Sequence, residues 1–418
     1  MKKVFLSLAL VTASAMAAVT FTNLQDRGWQ GKRGTSNVGT PKPTEEACWT
    51  AMRADAEARK ASANYTCINT KAARLTWKAD PAVPPVVPPV VVPPPVIPPV
   101  VVPTDPPVVV PVDEHQGGMH SGSMPRYDPR TIPSTFPSYS NERIRTTGAE
   151  MPRESNAAFR IECTTAAYGR HDPIVYPGRP GAAHLHLFLG NTGINAYSTN
   201  ESLRNAGNST CKGGILNRSS YWVPAVIDTR DGAVIQLSKA DIYYKQGYAG
   251  VRADQIVAPP AGIRVLAGNA ARMEPYQHDW QTPVKYSCGN GWQRAIPQNC
   301  TSGIMEMNIV FPQCWDGRNL DSPDHISHMA YPSGGCPSSH PVAIPELSYT
   351  LLFPIPAGRN TSTWRLASDN YTGGQGGYSG HGDWMNAWRP EISEQFTREI
   401  LNQGRSSSGN IGRGQDLH

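Results

Sequence analysis

The sequence predicts a mainly β protein: a β-sandwich or jelly-roll-like main domain with a C-terminal helix, preceded by a small α+β module and a proline-rich linker. Short runs of β-branched and aromatic residues are separated by Gly, Pro and Asn, as in strands joined by turns. A helical pattern of apolar residues appears only near the C-terminus. A tract of almost pure Pro and Val divides the chain, whose 418 residues are enough for two or three domains.

Residues 1–17 have the features of a secretory signal peptide. Lys2 and Lys3 precede the apolar run 4–11, and small residues follow up to a predicted cleavage after Ala17. The Val/Pro tract contains too much proline to cross a bilayer as a helix. We therefore expect a secreted protein, extracellular or periplasmic, with no transmembrane segment.

Residues 18–80 are predicted to form a small N-terminal module. Thr44 would cap a helix, and a strand over residues 64–77 would follow. A module of this size has little core of its own, so a disulfide between Cys48 and Cys67 would hold it together. A binding, an anchoring and a spacer role are all open for it.

Residues 81–157 are predicted to be a linker. Its first part, 81–112, is nearly all Pro and Val and favours a semi-rigid polyproline II spacer. Its second part is polar and includes a patch at 114–124 with two His and two Met residues. These side chains would suit copper, although a solvated Gly/Ser linker explains them as well.

Residues 158–403 are predicted to be the main β-rich domain, and residues 404–418 a disordered tail. The late helical pattern covers about 382–402, where Pro390 would divide or kink the helix. The predicted strands share short length and β-branched or aromatic content. They are 158–164, 183–189, 221–228, 241–245, 262–268, 305–311, 346–354 and 363–368.

The eight cysteines form an even set in a chain that we expect to be exported, so all can pair. Connectivity cannot be derived from sequence, but proximity suggests Cys48–Cys67, Cys163–Cys211, Cys288–Cys300 and Cys314–Cys336. No CxxC occurs, which argues against a zinc site built on thiolates. The net charge of +5 is mild and no run of Lys and Arg occurs, so nucleic acid is not an expected partner.

The stretch 181–190 carries two histidines in a predicted strand. Alternation places His184, His186 and Phe188 on one face and three leucines on the other. Two imidazoles on one face can share a metal ion or the polar groups of a substrate. A hydrogen-bonded pair inside a half-buried sheet is the structural alternative.

The loop 311–341, bracketed by Cys314 and Cys336, is the densest in groups capable of chemistry. Its acidic and imidazole side chains are Asp316, Asp321, Asp324, His325, His328 and His340. Asp316 and His340 are interpreted as structural. The residues expected to contact substrate are Trp315, Arg318 and Tyr331 of this loop, with His184 and His186.

Five stretches resemble one known family. They are the block 172–178, the HxHxFxG block 184–190, the SYWVP block 220–224, the block 311–332 (FPxCWDGxNLDSPDHxSHMAYP) and the GYxxHGDWMN block 377–386. The chain is similar here to a secreted fungal and bacterial family known as a domain of unknown function, which in fungi often lies beside a WSC carbohydrate-binding domain. The resemblance covers about 158–403 and implies no activity. It suggests one pocket lined by His184, His186, Asp321, Asp324, His325, His328, His381 and Asp383.

Three functions remain open at this stage. The first is a hydrolase or lyase acting on extracellular or cell-wall polysaccharide by acid–base chemistry. Its catalytic residues would be Asp321, Asp324, His325, His328, His381 and Asp383. The second is a non-catalytic module that binds carbohydrate or cell wall. The third is a divalent metal site, with His184 and His186 joined by His328 or His381, a donor set suited to Zn, Mn, Fe or Cu.

Overall fold

The computed structural model describes residues 124–148, 151–278 and 282–418, together with six strands nearer the N-terminus. The chain divides into two compact units, residues 1–113 and 114–418. The strands of the first unit are β1 (Ser7–Thr12), β2 (Ala15–Thr20), β3 (Trp29–Arg33), β4 (Ser36–Lys42), β5 (Asn64–Asn69) and β6 (Thr76–Lys78).

In the first unit β1 pairs with β2, and a second sheet has the order β4-β3-β5-β6. The predicted strand 64–77 is present as two strands, β5 and β6. Strands β1 and β2 span most of the predicted signal peptide. The helix expected after Thr44, the Cys48–Cys67 bridge, the Pro/Val tract and most of the His/Met patch lie outside the described residues.

Among the described residues, the second unit contains the remaining strands and the helices. Its strands are β7 (Ile144–Thr146), β8 (Ala158–Cys163), β9 (Thr165–Gly169), β10 (His186–Gly190), β11 (Ser220–Pro224), β12 (Val226–Asp228), β13 (Ala233–Val234), β14 (Lys239–Lys245), β15 (Arg264–Gly268), β16 (Val284–Ser287), β17 (Trp292–Gln293), β18 (Ile304–Val310), β19 (Cys314–Trp315), β20 (Met329–Ala330), β21 (Val342–Ala343), β22 (Glu346–Pro354), β23 (Trp364–Leu366), β24 (His381–Met385), β25 (Ser406–Ser408), β26 (Asn410–Gly412) and β27 (Gln415–Leu417). Its α-helices are α1 (Asn200–Asn205) and α2 (Pro390–Glu399), and its 3-10 helices are Pro129–Thr131, Ala253–Gln255 and Leu401–Gln403.

Two large sheets dominate the second unit. One has seven strands in the order β17-β16-β18-β22-β14-β8-β25, and the other has five in the order β15-β24-β11-β10-β9. Neighbours in both sheets are antiparallel, except that β25 runs parallel to β8. Three smaller sheets, β13-β12-β23, β20-β19-β21 and β26-β27-β7, complete the unit.

Buried aromatic side chains join the two large sheets face to face. The hydroxyls of Tyr221 on β11 and Tyr244 on β14 are 2.7 Å apart. The Tyr349 hydroxyl on β22 donates to the carbonyl oxygen of Asp383 on β24 at 2.8 Å. Trp384 packs edge-on against Tyr244. The predicted mainly β class with a C-terminal helix is therefore confirmed, and the packing is that of a sandwich.

Strand β10 is buried on both faces, which positions the candidate site. Leu187 and Leu189 belong to the core between the large sheets. Phe188 belongs to a second apolar cluster with Trp222 and Ile174 on the outer face of the five-stranded sheet. Alternation thus separates the side chains of β10 into two environments.

The helix predicted over about 382–402 is only partly correct. Residues 381–385 form β24, which pairs with β11 on one edge and β15 on the other. The helix begins at Pro390, in its first turn, where the missing proline N–H costs nothing. The apolar spacing of Trp384, Met385 and Trp388 fits a helix, but two neighbouring strands override that local preference.

Residues 404–418, predicted as a disordered tail, form three strands. Strand β25 extends the seven-stranded sheet by pairing with β8, and β27 pairs with β7. Ile411 and Leu417 are buried and anchor the segment. Strand β7 lies within the predicted linker 81–157. Because β7 pairs with β27 of the second unit, the linker prediction is wrong for this later segment as well.

Three disulfides cross-link the second unit: Cys163–Cys211, Cys288–Cys300 and Cys314–Cys336. These are three of the predicted pairs, and they fit a protein that matures in an oxidising compartment. Within the part of the chain that the structure describes, no helix has the length and apolar character needed to span a membrane.

Asp228 on β12 is a buried carboxylate whose loss should cost stability. Its oxygens accept from the Arg230, Arg359 and Thr363 side chains at 2.6 to 3.0 Å. Burial raises the pKa of Asp228, but these hydrogen bonds outweigh it and hold that pKa well below its usual range. Such a group stabilises the fold above its unfolded-state pKa, near 4, and loses that contribution as pH falls through the folded-state pKa.

We expect Asp228→Asn to lower the free energy of unfolding by about 2 kcal/mol at pH 7, because it removes the charge of a buried carboxylate that accepts from the partly exposed Arg230 and Arg359 side chains. The difference in the free energy of unfolding between wild type and variant should become smaller below about pH 4. Urea denaturation at pH 7 and pH 3 measures both effects. Asp254→Asn, which breaks an exposed pair with Arg252, is the control and should change stability far less, because solvent screens exposed ion pairs. Equal losses in the two variants would contradict the assignment.

Candidate metal centre

The outer face of the five-stranded sheet carries the candidate site. Phe188 on β10 lies opposite Trp222 on β11, and Trp222 lies opposite Asp383 on β24. Because side chains alternate along a strand, His186 shares this face with Phe188, as does His381 with Asp383. Apolar residues from the segments that cover this face pack on Phe188 and Trp222; they are Ile174, Ile194 and Leu203.

Three imidazoles meet at one point on this face. The Nε2 atoms of His184 and His381 are 3.2 Å apart. One ring nitrogen of each of His184, His186 and His381 lies within 4.8 Å of the other two. His186 and His381 are buried, whereas His184 is half-buried. The sequence predicted that His184 and His186 share a face, with His328 or His381 as the third ligand. The structure brings His381 to them from two strands away.

Hydrogen bonds fix the tautomers of two of these rings. His186 Nδ1 lies 3.0 Å from the carbonyl oxygen of His171, and His381 Nδ1 lies 2.8 Å from that of Ser379. A carbonyl oxygen only accepts, so each Nδ1 carries the hydrogen and each neutral ring leaves an Nε2 lone pair. Metal-binding histidines usually donate their second ring N–H in this way.

Two carboxylates border the same point. Asp172, His186 and Asp383 each offer a ligand atom within 4.8 Å of the others. Asp383 Oδ2 is 4.0 Å from His381 Nε2. Both carboxylates are almost fully buried. Asp172 Oδ1 is held by the backbone N–H groups of Ile174 and Val175 at 2.8 and 2.9 Å, which fixes its position.

Two buried polar atoms at this point lack a hydrogen-bond partner among the described residues: His186 Nε2 and Asp383 Oδ2. Leaving such an atom unpaired in the interior costs about 1–3 kcal/mol. The two atoms lie on strands of one sheet and face the same side. A cation between them would satisfy both.

The lowered pKa values of the three imidazoles favour metal coordination. Burial lowers the pKa of His186 and of His381 to about 4. Burial, and then the neighbouring His186 and His381 rings, lower the pKa of His184 well below its usual value. All three rings are therefore neutral at neutral pH, the form that binds metal. Burial, and then Asp172, raise the pKa of Asp383, an effect that a cation would reverse.

A buried carboxylate supports one of the three rings from behind. Asp369 accepts from the Ser379 hydroxyl at 2.5 Å and from the Gly377 N–H at 2.8 Å. It thereby holds the turn whose Ser379 carbonyl orients His381. Sequence reasoning missed Asp369 as a support and did not place Asp172 in the pocket. The only signal for Asp172 is its place at the start of the block 172–178.

The loop 311–341 makes its hydrogen bonds elsewhere. Asp321 contacts Arg264 at 3.0 Å and His325 at 2.9 Å, and His328 Nε2 bonds the Arg264 carbonyl at 2.6 Å. On the pairing of β15 with β24, Arg264 is opposite Met385 while His381 is opposite the other end of β15. Four residues of strand separate these ends by about 13 Å. The eight predicted residues thus fall into two groups rather than one pocket.

His328, one of the two candidates for a third metal ligand, makes hydrogen bonds within the loop and to β15. His328 Nδ1 bonds the Ser322 hydroxyl at 2.9 Å, and its Nε2 bonds the Arg264 carbonyl. Both ring nitrogens are therefore occupied. His381, the alternative third ligand, is the one that reaches His184.

Asp324 is held as the organiser of a turn. Its Oδ1 accepts from the Ser322 and Ser327 hydroxyls at 2.6 and 2.9 Å and from the N–H groups of Ile326 and Ser327. These hydrogen bonds lower the pKa of Asp324, and the bond from the Ser322 hydroxyl contributes most. An ionised carboxylate with four donors suits a turn better than proton donation. Its predicted catalytic role remains a prediction.

Three of the residues expected to contact substrate lie in the loop, whereas His184 and His186 belong to the imidazole cluster. The Trp315 indole N–H donates to the Asn319 carbonyl at 2.6 Å. Arg318 is exposed, and Tyr331 is 48% exposed. Asp316 and His340 bond neighbouring loop atoms, as expected of structural residues.

A protein-family model described as "Domain of unknown function (DUF1996)" matches residues 172–388 of the chain. This segment contains Asp172, the three histidines and Asp383. No curated protein and no solved structure matches the chain.

Because the loop and the three imidazoles are separate, substitutions in one should change stability independently of substitutions in the other. Residues more than about 10 Å apart contribute to stability additively to within about 0.5 kcal/mol, whereas residues in contact do not. We expect Asp321→Asn and His381→Gln to be additive, and His184→Gln and His381→Gln to deviate from additivity by more than about 0.5 kcal/mol. Urea denaturation of single and double variants with a chelator present measures both cycles. Coupling of Asp321 to His381 would instead place the loop in the same site.

Proposed function

Because the chain belongs to the family described as a domain of unknown function (DUF1996), we propose its function from the site itself: the protein binds one divalent transition-metal ion. The ligands are His184, His186, His381 and Asp383. The observation that carries this proposal is the pair of buried, unpartnered atoms, His186 Nε2 and Asp383 Oδ2, beside two further imidazoles.

The spacing of the nitrogens fits a shared ion. Zinc–nitrogen bonds are about 2.0–2.1 Å long, so two nitrogens on one tetrahedral ion lie about 3.3 Å apart. The Nε2 atoms of His184 and His381 are 3.2 Å apart. In the absence of an ion, one of these rings has to present an N–H to the other. Asp383 Oδ2, at 4.0 Å from His381 Nε2, needs only a small movement to join them.

The donor set narrows the choice of metal. Imidazole suits Zn, Cu and Fe, carboxylate adds Mn, and the absence of a thiolate disfavours Cu(I). A bound ion of this kind acts as a Lewis acid and lowers the pKa of coordinated water. Of the three imidazoles, those of His186 and His381 are buried, whereas that of His184 is half-buried. Access to the ion is therefore from the His184 side.

We expect the protein, purified without chelators, to carry or take up about one ion per chain. His186→Gln and Asp383→Asn should each lower metal affinity more than about tenfold, since even outer-shell changes cost 10–100-fold. His340→Gln, on the loop, is the matched control and should bind as the wild type does. Elemental analysis, followed by titration of the chelated protein with Zn²⁺, Mn²⁺, Fe²⁺ and Cu²⁺, measures these affinities.

Thermal or urea unfolding provides a second measurement on the same proteins. An ion at 100 times its dissociation constant should stabilise the wild type and His340→Gln by about 2.7 kcal/mol. It should stabilise the two ligand variants by about 1.4 kcal/mol or less, because a site at least tenfold weaker is then at no more than about 10 times its dissociation constant. Absence of uptake of all four ions by folded wild-type protein would remove the proposal.

A separate observation favours a glycan-facing surface as a second proposal. The Tyr331 hydroxyl donates to the Val310 carbonyl at 2.9 Å, while the residue as a whole is 48% exposed. A ring fixed at its hydroxyl and open to solvent offers apolar area at little entropic cost. We propose that this surface binds extracellular or cell-wall polysaccharide in a secreted protein. Hydrolysis or elimination by the loop acids, and binding without catalysis, are both consistent with it.

We expect Tyr331→Ala to lower retention on an insoluble polysaccharide at least about threefold, since aromatic contacts dominate such surfaces. Tyr197→Ala is the control, because Tyr197 is also exposed, at 67%, but lies outside the loop. Pull-down on a panel of insoluble glycans measures retention. Wild-type retention that neither variant changes would exclude Tyr331 as a contact.

A further inference from the structure

We propose that the polar cavity between the end of α1 and the start of α2 binds an oxyanion group, a carboxylate, sulfate or phosphate, of a small acidic molecule. The cavity has a volume of about 410 Å³, within the range of small-molecule sites. It lies apart from the metal ligands and does not depend on them. Its lining residues are Arg204, Asn205, Ile215, Arg218, Ala387, Arg389, Pro390 and Glu391.

Arg218 is held in place by neutral groups only. Its Nε donates to the Gly207 carbonyl at 2.9 Å, and its Nη1 donates to the Arg204 carbonyl at 3.0 Å. These bonds fix the plane of the guanidinium without compensating its charge. Among the ion pairs of the described residues, none includes the side chain of Arg218 or Arg204.

A third guanidinium increases the positive charge of the cavity. Arg389 pairs with Glu142 and still lies close enough to affect Arg218. Burial, and then Arg389, lower the pKa of Arg218. The lining has three arginines and one glutamate, and Glu142 pairs with one of these arginines from outside the lining, so one net positive charge remains. Like charges held together in a partly enclosed space favour a bound anion.

The chemistry of the lining identifies the class of ligand. A guanidinium with a fixed plane presents parallel N–H donors that match the two oxygens of a carboxylate, sulfate or phosphate. The cavity is polar and offers little apolar surface for a purely hydrophobic ligand. An inorganic oxyanion and an acidic sugar share the recognised group, so the experiment has to include both.

The test uses the full chain and calorimetric titration at constant ionic strength, with sodium sulfate, sodium glucuronate and uncharged glucose as probes. We expect saturable binding of sulfate or glucuronate and none of glucose. Arg204→Gln should weaken binding about tenfold, because it removes a charge-assisted hydrogen bond. The Arg204 side chain has no protein partner in the described structure, so this variant should fold normally.

Arg126→Gln is the matched control. It removes the same charge from an exposed arginine outside the cavity lining and should leave binding unchanged. Arg389→Gln provides a second variant inside the cavity, with circular dichroism as the check on folding. Two results would overturn the proposal: no saturable binding of either anion by the wild type, or an equal loss of affinity in Arg204→Gln and Arg126→Gln.

Discussion

The pairing of β24 with β11 on one edge and β15 on the other is the constraint on which the second unit depends. A strand with two neighbours and two covered faces places its side chains by alternation alone. Trp384 therefore enters the core between the large sheets, while His381 and Asp383 face the opposite side. The Tyr349 hydroxyl from the other sheet holds the Asp383 carbonyl at 2.8 Å. One five-residue strand thus contributes to the core and positions two of the proposed metal ligands, His381 and Asp383.

Unpaired atoms locate the site better than the density of reactive residue types does. The loop 311–341 is rich in Asp and His, yet its Asp324 has four donors and its His328 uses both ring nitrogens. His186 Nε2 and Asp383 Oδ2 are buried without a partner among the described residues. Nearly all buried polar atoms in folded proteins are paired, and the ion proposed above would pair these two.

The sequence predicted the local features of this fold and few of its long-range ones. Alternation and turn residues were enough to predict β22 and to place His184 and His186 on one face. They could not distinguish β24 from a helix, because the spacing of Trp384 and Trp388 fits both and only the neighbouring strands decide. The segment 404–418 has just two large apolar residues, too few for a pattern. Asp172 lies in the segment that covers the outer face of the five-stranded sheet. The periodicity of a sequence does not predict where such a covering segment packs.

Charge balance explains why the site has this composition. Three neutral imidazoles add no charge, while Asp172 and Asp383, when ionised, bring two negative charges into the interior, which a divalent ion would neutralise. Without an ion the two carboxylates oppose each other, and burial together with Asp172 raises the pKa of Asp383. A cation bound there would offset the effect of burial on Asp383 and would pair its Oδ2. His184, the ligand nearest solvent, is where such an ion would enter and leave.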